Sequence, residues 1–430
     1  MRAMDCKYRV LRSASRVFAS EFANLRQNSF WSSGSGPELR IHRIHAYPAK
    51  FPAFITTKAL TFAAAQGINI KTVADVFCGC GTVACEARRN GIDFWGCDIN
   101  PVATLIATVK SNSYDPSKVK YYENAIISAF SRNGTGVELS NVTIKRLDYW
   151  YSKKQFNDLA KLLNAITENV PSQSHYKLFF LCAFSNILKA TSRWLTKSIK
   201  PQIDPNKRGV DVRQAFVKQV SLMIEAWKQA RSATRSRVKI LTANILETIP
   251  PAKVDMIITS PPYVTSYEYA DLHQLSSLWL GYACDYRELR TGSIGSTQHN
   301  LNFNREIKRL NKVGSKVVFS LFDRDERIAR STAKYFLDMQ TVADRCFDLL
   351  KVSGLAIFVI GNTEYKGVRI DNAAHLVESL LRSGFSQVKV AKRRMSGKIL
   401  TPYRNSKGQF SRSSTGRHVY GEEFVLIANK

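Results

Sequence analysis

The segment from Thr72 to Pro101, TVADVFCGCGTVACEARRNGIDFWGCDINP, restricts the possible folds more than any other part of this 430-residue chain. TVADVFCG reads as a buried strand that runs into two glycines, Gly79 and Gly81. TVACEARRNG reads as a helix that stops at Gly91, a residue suited to the left-handed conformation that closes helices. DFWGCDINP is a second strand, and Pro101 is placed to open the next helix. Strand, turn, helix and strand within about thirty residues make a βαβ unit, and βαβ units build parallel sheets.

The turn also has chemistry. Glycines at 79 and 81 let backbone approach a ligand closely and aim helix N–H groups at its anionic end. Asp98 follows Gly81 by 17 residues, at the end of the second strand. An acid there commonly binds ribose hydroxyls. The third glycine of the dinucleotide fingerprint is missing, so the pattern favours a nucleoside-type ligand over NAD. Phe77 and Cys78 stand where they line such a pocket or fill the core.

A second α/β half returns late in the chain. RVKILTAN (237–244), VDMIITS (254–260), LAIFVIGN (355–362), SQVKVAKR (386–393) and EEFVLIAN (422–429) read as strands, with helices over 328–350 and 371–383. Residues 264–325 are polar and read as largely loop. Between the halves, 111–235 carries helical patterns such as SKKQFNDLAKLLNAI and an excess of Lys and Arg over acids. The expected division is a helical N-terminal arm (1–37), a first α/β part (38–110), a basic helical insertion (111–235) and a second α/β part (236–430).

One strand of the second half ends abruptly. In DMIITSPPYVTSYEY, Asp255 to Tyr269, an apolar run meets Ser260-Pro261-Pro262-Tyr263. Neither proline has an N–H and both fix φ, so the strand must stop in a rigid, extended backbone. The plain reading is a strand followed by a turn; the functional reading is a platform for a flat ligand, with a hydroxyl before the prolines and a phenol ring after them.

Charge narrows the partner. Sixty-three Lys and Arg against 34 Asp and Glu give a net charge of +29, which suits a polyanion, most simply nucleic acid. From Arg382 to His418 there are ten Lys and Arg and no acid, with Tyr403 and Phe410 interleaved. Phosphate contact by Arg393, Arg394, Lys398, Arg404 and Lys407 is the reading of that run. The eight cysteines lack common zinc spacings, and buried free thiols with no metal are expected. No stretch has the uninterrupted apolar length of a membrane-spanning helix, and no apolar signal-peptide core opens the chain.

Taken together, DVFCGCGT and TSPPY resemble the cofactor and catalytic motifs of S-adenosylmethionine-dependent DNA amino-methyltransferases, the latter in the form associated with cytosine N4. HRIHAYPAKFPAFIT (42–56), KILTPYRNSKGQF and VYGEEFVLIANK are similar to further segments of one branch. The cofactor motif precedes the catalytic one, the reverse of many cytosine-N4 enzymes.

The resemblance implies a Rossmann-like class I methyltransferase fold, α/β with a mostly parallel seven-stranded sheet plus the helical insertion. It implies S-adenosylmethionine held by Tyr47, Lys50, Asp75, Phe77, Cys78, Gly79, Gly81, Thr82, Asp98, Ile99 and Asn244, and catalysis by Ser260, Pro261, Pro262 and Tyr263. The implied partner is double-stranded DNA, in a bacterial or archaeal cytoplasm, with room for a separately encoded restriction endonuclease. Adenine N6, an RNA amine and binding without catalysis remain as alternatives.

Overall fold

Leu355, Ile357 and Val359 point to one side of a strand and Ala356, Phe358 and Ile360 to the other, and all six are buried. A strand buried on both faces belongs in the middle of a sheet covered on both sides. The computed structural model describes residues 8–34, 36–132, 135–231, 236–248, 250, 252–264, 268–296, 302–394, 403–404, 410–411, 417–418 and 423–430. Its main sheet comprises β1 (Arg9–Leu11), β2 (Thr72–Asp75), β3 (Asp93–Asp98), β4 (Val238–Thr242), β5 (Val254–Thr259), β6 (Leu350–Gly361), β7 (Gln387–Arg393) and β8 (Glu423–Asn429).

The strand order is β1-β7-β8-β6-β5-β2-β3-β4. The neighbours from β6 to β4 all run parallel, while β8 pairs antiparallel with β6 and β7, and β1 pairs antiparallel with β7. The chain winds outward from β2 to β4, then returns to place β5 on the other side of β2. That reversal lies beyond the carboxyl ends of β2 and β5, where open α/β sheets form ligand crevices.

The principal helices are α1 (Ala53–Ala65), α2 (Thr82–Arg89), α3 (Pro101–Ser111), α4 (Pro116–Ser131), α5 (Asn141–Asp148), α6 (Lys153–Asn169), α7 (His175–Thr191), α8 (Val212–Ala230), α9 (Lys312–Phe322), α10 (Glu326–Leu349) and α11 (Asn372–Arg382). α9, α10 and α11 cover one face of the sheet, and α1 and α2 cover the other. α4 to α8 share a separate apolar cluster with α3 and with the short helix Gln274–Trp279.

Three expectations change. Among the described residues the sheet has eight strands rather than seven, because Arg9–Leu11 adds an edge strand along Val388–Val390. Among its described residues the N-terminal arm is therefore not simply helical; it holds that strand, the five-residue helix Ala19–Ala23 and the short 3-10 turns Ala14–Arg16 and Ser29–Trp31. The stretch expected to be loop contains Tyr269–Leu272, Gln274–Trp279, Phe303–Glu306 and α9. Apolar spacing in α9 is helical, with Val313, Val317 and Leu321 buried. Its first N–H groups, on Lys312 and Val313, donate to the Glu378 carboxylate of α11, a cap supplied from 65 residues or more away.

Candidate active site

The glycine turn is held by Asp98. One carboxylate oxygen accepts from Gly79 N–H at 2.9 Å and the other from Asn100 N–H at 2.9 Å. A carboxylate has about four lone-pair sites, so acceptor capacity remains for a ligand's hydroxyls. Burial raises the Asp98 pKa, opposed by those two N–H groups. Gly81 stands at the helix start in a left-handed conformation, φ 74°. Gly79 faces Tyr47: a Cβ built on Gly79 would meet the Tyr47 ring at 3.7 Å. That ring stacks on His273, with centroids 5.0 Å apart, and at 6.5 Å on Tyr269. The segment around Tyr47 thus roofs the turn and meets the short helices that follow the Ser-Pro-Pro-Tyr motif.

The far end of the turn is lined by Ile99 and Asn244. Asn244 Nδ2 donates to the Gly292 carbonyl at 3.4 Å, and a Cβ on Gly292 would lie 3.4 Å from Ile99 Cδ1. The structure thus brings Gly79, Tyr47 and Asp98 together at the turn, with Ile99 and Asn244 both next to Gly292.

Other expected cofactor residues have different surroundings. Asp75 is 3% exposed, and its Oδ1 accepts from Thr259 Oγ1 at 2.6 Å and from Phe77 N–H at 3.1 Å. It joins β2 to the end of β5. Lys50 is ion-paired with Glu38 and also donates to the His42 carbonyl at 3.0 Å, so its charge is already met. Thr82 and Cys78 are buried at the turn, and Phe77 packs against the core.

Burial pushes the Asp75 carboxyl up to about 7, above its ordinary 3.8. The unfolded chain therefore loses this proton at lower pH than the folded one. Asp75 favours folding most below about pH 4, and that contribution is lost as pH rises through about 7. In Asp75→Asn, whose amide oxygen keeps an acceptor for Thr259 and Phe77, melting temperature should fall less than in wild type between about pH 5 and 8. Parallel melting curves for the two proteins across that range would contradict the assignment.

Beyond β5, the Ser260 hydroxyl donates to the Val359 carbonyl of β6 at 2.8 Å. Pro261 is buried, and Pro262 and Tyr263 are partly buried. Tyr263 Oη donates to Glu423 Oε1 of β8 at 3.1 Å. Val359, Glu423, Tyr269 and His273 were not foreseen as site residues. The aromatic SYEY text after the prolines is a local signal for Tyr269, and VYGEEFVLIANK contains Glu423 without indicating its partner.

The basic run divides. Arg394 is exposed at the end of β7. Arg393 is not available to a phosphate: it is 4% exposed, ion-paired with Glu423, and donates Nε–H to the Trp31 carbonyl at 2.9 Å. Strand alternation turns it inward although its neighbours in sequence are basic. Lys398 and Lys407 lie outside the described residues, as does the side chain of Arg404.

Among the described cysteines, Cys78, Cys80, Cys85, Cys97, Cys182 and Cys346 are buried free thiols and Cys284 is exposed. One group, His42, Cys85 and Glu86, brings possible ligand atoms within 4.8 Å of one another. Glu86 is already engaged there by His42 at 2.8 Å and by Arg89 at 3.0 Å. Among the described residues, no helix is long and apolar enough to cross a membrane.

No protein-family model matches the chain. Type II methyltransferase M.MvaI of Kocuria varians is 24% identical over 359 residues, covering 76% of this chain and 78% of that protein. Type II methyltransferases M.AvaI of Nostoc sp. and of Anabaena variabilis are each 23% identical over 361 residues, covering 75% of this chain and 74% of theirs. Among solved structures, the rRNA methyltransferase AviRa of Streptomyces viridochromogenes gives a TM-score of 0.25 at 10% identity, covering 80% of this chain and 92% of that one. That score carries no argument about fold or substrate. The chain is therefore similar, over about three quarters of its length, to proteins named as Type II methyltransferases.

Proposed function

We propose that this chain is a site-specific DNA methyltransferase that uses S-adenosylmethionine to methylate the exocyclic N4 amine of cytosine. The observation that carries the reading is the Ser260 hydroxyl. Its proton is committed to the Val359 carbonyl, so what it has left to offer a ligand is lone pairs. Such a hydroxyl receives an N–H and cannot donate to a ring carbonyl. The relatives' names and the +29 charge support the methyl-transfer and nucleic-acid parts of the reading.

An exocyclic amine on a pyrimidine is a poor nucleophile because its lone pair is delocalised into the ring. Ser260 Oγ and the Pro261 carbonyl are assigned to accept its two N–H groups and draw the nitrogen towards tetrahedral geometry. The prolines fix that carbonyl in advance, which reduces reorganisation during reaction. Tyr263 supplies a stacking face, worth about 1–3 kcal/mol per base. A base in a stacked duplex cannot reach this floor, so the target must be flipped out. Gly79, Gly81, Asp98, Ile99, Asn244 and Tyr47 would hold S-adenosylmethionine. When bound, that cofactor supplies an electrophilic methyl group.

The test is modified-base sequencing of DNA from a methylation-free host that expresses the chain. N4-methylcytosine at one short sequence is the expected result. N6-methyladenine would transfer the same chemistry to the other ring, and soluble protein with no modified DNA would overturn the reading.

A further inference from the structure

The two side chains assigned to the target base are both anchored outside their own loop, on the β6–β8 ladder. Ser260 is fixed by the Val359 carbonyl, and Val359 pairs with Val425 of β8. Tyr263 is fixed by Glu423, which pairs with Gly361 two residues further along β6. Glu423 is itself immobilised. It lies directly across from Arg393 in the β8–β7 ladder, is 7% exposed, and forms an ion pair with Arg393. Arg393 in turn donates to the Trp31 carbonyl and sits 5.4 Å from the Phe54 ring centroid. Trp31 is fully buried.

The geometry points to Glu423 as a positioning residue for base stacking: held by Arg393, it fixes the Tyr263 hydroxyl and so sets the plane of the ring. This rests on the proposed role of Tyr263 as the base-stacking face. A phenol ring has two main torsions, and stacking loses strength when the plane tilts. A charged acceptor at the far end of the ring selects one orientation before the base arrives, which lowers the ordering needed in the reactive complex. The hydroxyl remains a donor, because burial and the neighbouring Glu423 raise its pKa. Glu423 touches neither base nor cofactor in this assignment; it acts through Tyr263. The N-terminal segment thereby supports the site as well, since the Trp31 carbonyl holds Arg393 in place.

The test is a double-mutant cycle of Tyr263→Phe and Glu423→Gln, measured as kcat and KM for DNA at saturating S-adenosylmethionine. Tyr263→Phe keeps the ring and leaves the Glu423–Arg393 pair intact, so it serves even where Glu423→Gln folds poorly. Each single change should lower kcat by roughly tenfold with cofactor affinity unchanged, and the double variant should be no worse than the weaker single. Wild-type kinetics in Tyr263→Phe, or losses that multiply in the double variant, would overturn the proposal.

A second readout separates it from the functional reading. In protein labelled with 13Cζ-tyrosine, the resonance absent from Tyr263→Phe should move in Glu423→Gln. If wild type methylates no DNA, the functional reading fails while this shift still tests the clamp. An unmoved resonance overturns the clamp whatever the activity.

Discussion

Ser260→Ala should lower methyl transfer by roughly a hundredfold while S-adenosylmethionine and DNA still bind near wild-type affinity. The expectation follows from what the side chain is assigned to touch. Its acceptor role matters most when the amine nitrogen leaves the ring plane, and binding of the undistorted base depends far less on it. The structural cost is small. The hydroxyl contributes one bond to the Val359 carbonyl, worth about 1 kcal/mol net. Val359 still pairs with Val425 in the β6–β8 ladder. Single-turnover transfer, cofactor affinity and duplex affinity measured on the same preparation decide the matter. Equal losses in all three would mean that Ser260 supports the local fold and does not act on the amine.

The features read most directly from sequence are those whose cause is local. The Thr72–Asp75 strand, the turn at Gly79 and Gly81, and the helix over Thr82–Arg89 follow from adjacent residues, as does the stop after Thr259. Glycine conformation, proline geometry and apolar runs act within a few positions.

The missed features depend on distant partners. Tyr263 and Glu423 are 160 residues apart, and Ser260 and Val359 are 99. Nothing near Glu423 in the chain indicates that it faces a tyrosine. The surroundings of Arg393 are equally non-local. It stands among basic residues in sequence, while in space it faces Glu423 across a strand pair. β1 is only three residues long, too short for an alternation to be seen, and its register comes from β7. α9 contains Gly314 and three β-branched residues near its middle and start, which lowers its intrinsic helix preference. Burial of its apolar side against α10 and the cap from Glu378 supply what propensity does not.

Gly81→Ala should have the largest effect on stability, and Gly79→Ala, two residues away, should cost much less. Both positions have positive φ, 74° and 47°, so each alanine bears a backbone cost of about 1–2 kcal/mol. Their surroundings differ. A Cβ at position 81 would lie 2.5 Å from Ala107 Cα and 2.6 Å from Ala107 Cβ, against α3. Backbone at that distance cannot rotate away, so α2 and α3 must separate at the point where the turn is built. The combined cost is about 3–5 kcal/mol, with cofactor affinity lost along with it. The nearest atoms to a Cβ at position 79 would be in Tyr47, at 3.7 and 3.8 Å, and the Phe77 carbonyl oxygen, at 3.9 Å, all ordinary contacts. It would narrow the approach to the turn beside its aromatic roof, where the proposed cofactor binds. The stability of Gly79→Ala should therefore fall only by that backbone cost of about 1–2 kcal/mol, well short of the loss in Gly81→Ala, while its S-adenosylmethionine affinity falls. Chemical denaturation and calorimetric titration of the two variants separate a glycine required for helix packing from a glycine required for ligand approach. A Gly79→Ala protein that binds cofactor as wild type does would place the ligand elsewhere than under Tyr47.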